Sequence, residues 1–252
     1  MRVEHLYRYP VKGLSAEALE AVTLAAGECV PEDRRFALAQ GDAAFDEAAP
    51  AFLPKRNFAC LMVNERLALV KSAFDARHRR LTLAIPGQPA FEASTTTPEG
   101  KAAIAAALTA YLGEEARGTP RFVEAPGHAF ADDKVKMLSL LNLASVAEFS
   151  ARIGQPVDPL RFRANVHFGG LAPWAEFDLV GREVMLGGAR LRIVKRIIRC
   201  PATQVNPATG ERDIKLPLLL RQHYDHADFG IYGLVLEGGP VALGDALEVL
   251  PE

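Results

Sequence analysis

Glu183-Val184-Met185-Leu186-Gly187-Gly188-Ala189-Arg190-Leu191-Arg192-Ile193-Val194-Lys195-Arg196-Ile197 reads as two strands separated by a glycine pair. Short apolar runs interrupted by charge, with Gly-Gly between them, predict strands over 183–186 and 189–197 joined by a sharp turn. Working outward, similar runs punctuated by Gly or Pro predict strands at 163–168, 176–179, 230–236 and 241–250. The first half gives shorter ones at 2–9, 18–24, 35–40, 58–64, 67–70 and 79–85. Two helices interrupt this pattern. Glu99 to Leu112 is rich in alanine, and Leu140 to Ile153 carries Leu143, Val146, Ala147 and Phe149 on one face, with Ser139 as its cap and Gly154 and Pro156 as its stop. The polar, turn-rich stretch 113–131 is read as the junction of two units, 1–120 and 121–252. The fold class expected is mixed α/β but predominantly β-barrel. The glycine pairs at 169–170, 187–188 and 238–239 have neither GxxxxGK[ST] nor GxGxxG spacing, which argues against a doubly wound nucleotide fold.

With 252 residues, 49% of them apolar, the chain can bury one large core or two smaller ones, and 24% charged residues argue against general disorder. The 29 Lys plus Arg against 31 Asp plus Glu give a net charge of -2, so nothing global recommends nucleic acid or an anionic membrane as a partner. Cysteines at 29, 60 and 200 form neither a zinc-ribbon spacing nor a CxxC pair, which favours a reduced, cytoplasmic setting. His5, Arg8, Lys12 and Glu17 break any early apolar run, so neither a secretory segment nor an integral membrane span is expected there.

Cys200 is the residue with the most chemical promise. It follows Arg196 and Arg199 and precedes the turn-forming tract Pro201 to Gly210, surroundings that favour a thiolate or a soft-metal ligand over an ordinary core thiol. Cys29 and Cys60 lack such neighbours and are read as packing residues. Lys12 follows the Tyr9-Pro10-Val11 turn, and Arg34 and Arg35 follow Asp33. Arg161, Arg163 and Asn165 would share one face if 161–165 were extended. Arginine forks and a lysine point charge suit a multiply anionic ligand, although each basic residue taken alone can equally face solvent or form a structural ion pair. His223 and His226, with Asp225 and Asp228, have the composition of a small metal cluster but no distant fourth ligand. His128 and His167 leave a cysteine hydrolase open as a competitor.

Taken in order, Tyr9-Pro10-Val11-Lys12-Gly13, Asp33-Arg34-Arg35-Phe36, Phe52-Leu53-Pro54-Lys55, Arg163-Ala164-Asn165, Arg199-Cys200 and Val205-Asn206-Pro207-Ala208-Thr209-Gly210 carry a resemblance to the MOSC superfamily. The resemblance is to proteins in which an N-terminal MOSC-associated β-barrel precedes the MOSC β-barrel with flanking helices. It extends through Phe229-Gly230-Ile231-Tyr232 and Gly238 to Asp245.

The resemblance implies a molybdenum-pterin cofactor with Cys200 as the Mo ligand. It also implies that Lys12, Arg34, Lys55, Arg163, Asn165 and Arg199 contact or position the anionic cofactor. The implied reaction is reduction of a small N-hydroxylated substrate. Because no ferredoxin-type cysteine pattern is appended, the expected electron donor is a separate ferredoxin-, flavodoxin- or reductase-like protein. A sulfur-transfer enzyme using a Cys200 persulfide, and a noncatalytic Mo-pterin carrier, are the alternatives. Ile197-Ile198 stands where relatives often have a second cysteine, and Phe36 where Trp is common.

Overall fold

The computed structural model describes residues 1–251. Its strands are β1 (Arg2–Arg8), β2 (Glu17–Leu19), β3 (Ala21–Leu24), β4 (Phe36–Ala39), β5 (Lys71–Asp75), β6 (Arg80–Ala84), β7 (Phe91–Ser94), β8 (Arg121–Glu124), β9 (Leu138–Asn142), β10 (Val166–Gly169), β11 (Glu183–Leu186), β12 (Ala189–Ile198), β13 (Asp228–Glu237), β14 (Gly239–Ala242) and β15 (Leu247–Val249). The helices are α1 (Pro98–Leu112), α2 (Leu143–Ile153) and α3 (Leu216–Tyr224). The chain is thus predominantly β with flanking helices, as its sequence indicates.

β11 and β12 pair antiparallel with Leu186 opposite Ala189, so the glycine pair makes the expected turn. Gly187 adopts φ 54° there, a left-handed conformation that favours glycine. Val184, Leu186, Leu191 and Ile193 are buried on one side of this hairpin. They pack with Val3, Leu6, Phe168 and Ile231 in the core of an eight-stranded sheet of order β15-β11-β12-β13-β9-β10-β1-β2. A second core gathers Phe36, Leu38, Phe74, Leu81, Leu83 and Phe122 with Ile104 and Leu108 of α1. Around it lie the β4-β8 pair and the β5-β6-β7 sheet.

Strand pairing does not divide the chain at residue 120. β1 runs antiparallel to β10, with Val3 opposite Phe168, and β3 pairs with β14. The first strands therefore complete sheets of the second half, while β8 returns to pair with β4.

Several local expectations are corrected. Residues 58–64 and 67–70 are not strands: Phe58 makes one isolated bridge to Ala39, and Glu65–Leu69 is a 3-10 turn. Leu61, Leu67 and Ala68 are buried by an irregular path, so their apolarity does not report strand periodicity. α2 is capped by Asn142, whose side chain accepts from Ala144 N, and not by Ser139. Ser139 lies in β9, which is buried along its whole length and so shows no alternation. Pro159–Phe162 forms a 3-10 turn ending at Arg163 with φ 51°, so Arg161, Arg163 and Asn165 do not alternate along a strand. Ala175–Leu179 is also a 3-10 turn. α3 is a helix beyond the two expected ones, with Pro217 in its first turn, where proline is tolerated. His223 lies in the last turn of that helix. No group of three or more His, Cys, Asp or Glu among the described residues is arranged to hold a metal.

His167 on β10 is buried against the rings of His5 and Tyr7, and its Nε2 has no hydrogen-bond partner. Burial, helped by His5 and Arg199, pushes its imidazole down to about 3. An unfolded histidine titrates near about 6.5, so below that pH the unfolded state takes up a proton that the folded state refuses. Stability should therefore fall as pH drops from 6.5 toward 3, by up to about 1.4 kcal/mol per pH unit from this residue. His167→Phe is expected to flatten the curve, measured by urea unfolding at pH 6.5 and 5. Parallel curves for the two proteins would show that His167 does not set the acid limb.

Candidate functional site

All seven of the proposed cofactor residues border one cavity of about 340 Å³ between the two cores. Lys12 leaves β1 where its backbone N–H donates to Phe36 O at 2.8 Å. Arg34 takes a left-handed conformation, φ 52°, while its N–H donates to Tyr9 O at 2.8 Å. Asp33 accepts from Tyr9 N at 2.7 Å and pairs with the Arg34 guanidinium, whose Nη2 donates to Arg163 O at 2.9 Å. The Tyr9 ring sits against both guanidinium groups, 5.1 Å from Arg34 and 4.2 Å from Arg163. This explains how two arginines from distant tracts share a wall.

Arg199 closes β12 against the core. Its Nε donates to Phe229 O at 2.8 Å and its Nη1 to Phe162 O at 2.9 Å, whereas Nη2 is buried without a partner. Cys200 follows at the start of a short 3-10 turn, and its carbonyl accepts from Thr203 N and Oγ1. The sulfur caps nothing in the backbone and faces the Lys55 ammonium. Asp132, on the loop between β8 and β9, bridges Lys12 Nζ at 2.9 Å and Lys55 Nζ at 3.0 Å.

Asn165 differs from the others. Its Oδ1 accepts from Ser139 N and Oγ, and its Nδ2 donates to Tyr7 O at 3.2 Å. Both ends of the amide are therefore engaged in tying β1 and β9 together beside the cavity.

Charge is the dominant property of the lining, with nine Lys or Arg side chains against the carboxylates of Asp33, Asp132 and Asp133. Burial pushes Arg163 and Arg199 down to about 10, which leaves both cationic at neutral pH. Burial likewise lowers Lys12, against the opposing pull of Asp132. Lys55 is raised: burial opposes its charge, but Asp132 and Cys200 outweigh it. Burial alone would raise the Asp132 carboxyl, but Lys12 and Lys55 hold it far below the usual carboxylate range. Such a surface suits a polyanion with a soft centre near Cys200.

Sequence reasoning did not single out Asp132, nor the convergence of Cys29 and Cys60 on the same cavity. Burial pushes the Cys29 thiol up to about 11 and also raises Cys60, so both are neutral thiols. Asp132 sits in a loop with no turn or charge pattern that ties it to residues 12 and 55.

Two family models match the chain. Residues 1–123 match the MOSC N-terminal beta barrel domain, and residues 126–248 match the MOSC domain. The chain belongs to the MOSC family. This MOSC chain is 28% identical over 123 residues to mitochondrial amidoxime-reducing component 1 of Homo sapiens, which is 44% of this chain and 36% of that protein. It is 34% identical over 97 residues to molybdenum cofactor sulfurase of Caenorhabditis elegans, 37% of this chain and 13% of that protein. The matched part thus spans about a third of the length of the first relative and far less of the second. Among solved structures, the YuaD protein from Bacillus subtilis aligns with a TM-score of 0.46 and 16% identity, over 98% of this chain and 94% of that one. No helix among the described residues of the MOSC chain is long and apolar enough to cross a membrane.

Proposed function

We propose that this MOSC chain is a molybdenum-pterin-dependent oxidoreductase that reduces small N-hydroxylated substrates with electrons from a separate protein. The observation carrying the proposal is the pairing of Cys200, beside an ammonium, with the unpartnered buried Arg199 Nη2 in a cavity rich in cations. An unpaired buried guanidinium N–H is a standing demand for an acceptor, which an anionic pterin cofactor would supply. The residues present therefore fit the group, and the relatives named for amidoxime reduction and molybdenum cofactor sulfuration support the same reading.

Bound there, the cofactor supplies the electron pair that, with protons, converts N–OH to N–H and water. The protein's contributions are separate and local. Cys200 offers the soft ligand, and the Lys55 ammonium borders the same cavity. Lys12, Arg34, Arg163 and Arg199 supply charge-assisted donors to the anionic groups. Asp132 holds Lys12 and Lys55 in place, and Asn165 acts at one remove by clamping the strands that carry Tyr7 and Ser139. A ferredoxin-, flavodoxin- or reductase-like donor and a reducing compartment such as the cytoplasm complete the proposal.

A second reading, persulfide transfer by Cys200, is favoured by the partly exposed position of this thiol in the same cation-rich cavity, where another sulfur donor could reach it. Metal and pterin analysis of protein made in a host that synthesises molybdenum cofactor separates the two. Near-stoichiometric Mo and pterin are expected. A Cys200 persulfide without either would support sulfur transfer instead, and bound cofactor without turnover by any competent donor would leave a carrier.

A further inference from the structure

Arg161, Arg163 and Leu61 also border a second cavity of about 260 Å³, formed with residues that follow β1, with the start of β5 and with the loop after Cys200. Its lining includes the cations Lys71, Arg161 and Arg163 and no carboxylate. Arg161 is 2% exposed at its side chain; Nη1 donates to Gln204 O at 3.0 Å and Nη2 to Asp213 at 2.8 Å, but Nε has no partner. Arg163 donates Nη1 to Leu14 O at 2.6 Å, and no ion-pair partner for it is seen among the described residues.

Ser72 is the second unexplained polar group. β5 alternates exposed and buried positions, which turns Ser72 inward on the same side as the core residue Phe74. Its N–H donates to Ser15 Oγ at 2.9 Å, yet its own hydroxyl is buried and unpartnered. A serine at a core position of a strand, left unpaired, costs about 1–3 kcal/mol unless something accepts from it. Apart from Ser15 and Tyr9, the remaining walls, among them Leu14, Leu160, Val205 and Pro207, are apolar. Cations and an idle hydroxyl bordering a mostly apolar pocket describe a site for an anionic head on an apolar body.

We propose that this second cavity binds a small organic carboxylate, its head on the Ser72 hydroxyl and the Arg161–Arg163 guanidinium groups and its body against Leu14, Leu160 and Pro207. The proposal does not depend on what occupies the Cys200 cavity, although the shared arginines would couple the two sites reciprocally.

The test is titration of the full chain with benzoate and its neutral isostere benzamide, followed by calorimetry and by thermal shift. Benzoate is expected to bind saturably and at least about tenfold more tightly than benzamide, the factor set by a charge-assisted hydrogen bond. Ser72→Ala, which removes the idle hydroxyl without adding bulk, should weaken benzoate about tenfold. Ala16→Phe, at a half-buried lining position, should block it. Lys55→Ala, which alters only the first cavity, should leave it unchanged. The proposal is overturned by equal binding of benzoate and benzamide, by no saturable binding of benzoate, or by binding that survives Ser72→Ala and Ala16→Phe but is lost in Lys55→Ala.

Discussion

Cys200→Ser should yield a folded protein that no longer retains molybdenum and has lost essentially all turnover of N-hydroxylated substrates. The fold should tolerate the change because the turn at Cys200 is built by its carbonyl, which accepts from Thr203, and not by its sulfur. A partly exposed thiol with no packing duty is the kind of site where substitution shifts stability by only about 0.5 kcal/mol. Function should not tolerate it, because a serine hydroxyl is neutral at any working pH and is a hard donor where a soft thiolate is required. The measurements are the Mo-to-protein ratio, pterin content and the unfolding midpoint. Unchanged Mo occupancy together with unchanged turnover would remove Cys200 from the ligand role.

Arg199→Ala should be the most damaging of the cationic substitutions. The guanidinium serves Phe229 O and Phe162 O, with Nη2 buried and unpartnered, so truncation strands two carbonyls as well as removing a charge. A stability loss of roughly 2–4 kcal/mol follows from the carbonyls alone. Cofactor retention should fall by more than about tenfold through the lost charge-assisted contact. Arg199→Lys separates the two effects: it keeps the charge but not the fork, so it should recover much of the unfolding midpoint and little of the retention. Retention in the lysine variant equal to that of the parent would assign Arg199 to structure only.

The parts of the molecule legible in the sequence are those with local causes. The hairpin 183–197 announces itself because a glycine pair separates two short apolar runs, and α1 because its sequence is rich in alanine. The tracts at 12, 34, 55, 163–165 and 199–200 pointed to residues that do surround one cavity, since their linear order resembles that of a family. What could not be read has nonlocal causes. β9 is interior to a sheet and buried on both faces, so Leu138–Asn142 carries no alternation and was absorbed into the approach to a helix. Arg161 to Asn165 looked extended by composition, but Pro159 starts a tight turn and Arg163 ends it in the left-handed region. Asp132 matters because Lys12 and Lys55 lie on either side of it in space, and neither is near it in the chain.

The pairing of β1 with β10 and β2 has a consequence for how the chain must be made. β1 leaves the ribosome well before its partner: at roughly 5–20 residues per second, on the order of ten seconds or more pass before Val166 to Gly169 can reach it. During that interval Val3 and Leu6, which end up in the core, lie on a strand with only the short β2 to pair with. The large sheet therefore closes late and across a long loop, which favours slow folding and makes the nascent N-terminal strand the segment most in need of protection from other chains. By the same reasoning, residues 126–248 expressed alone would present β10 as a bare edge carrying Val166 and Phe168, so the two family modules are expected to be produced, and inherited, as one piece.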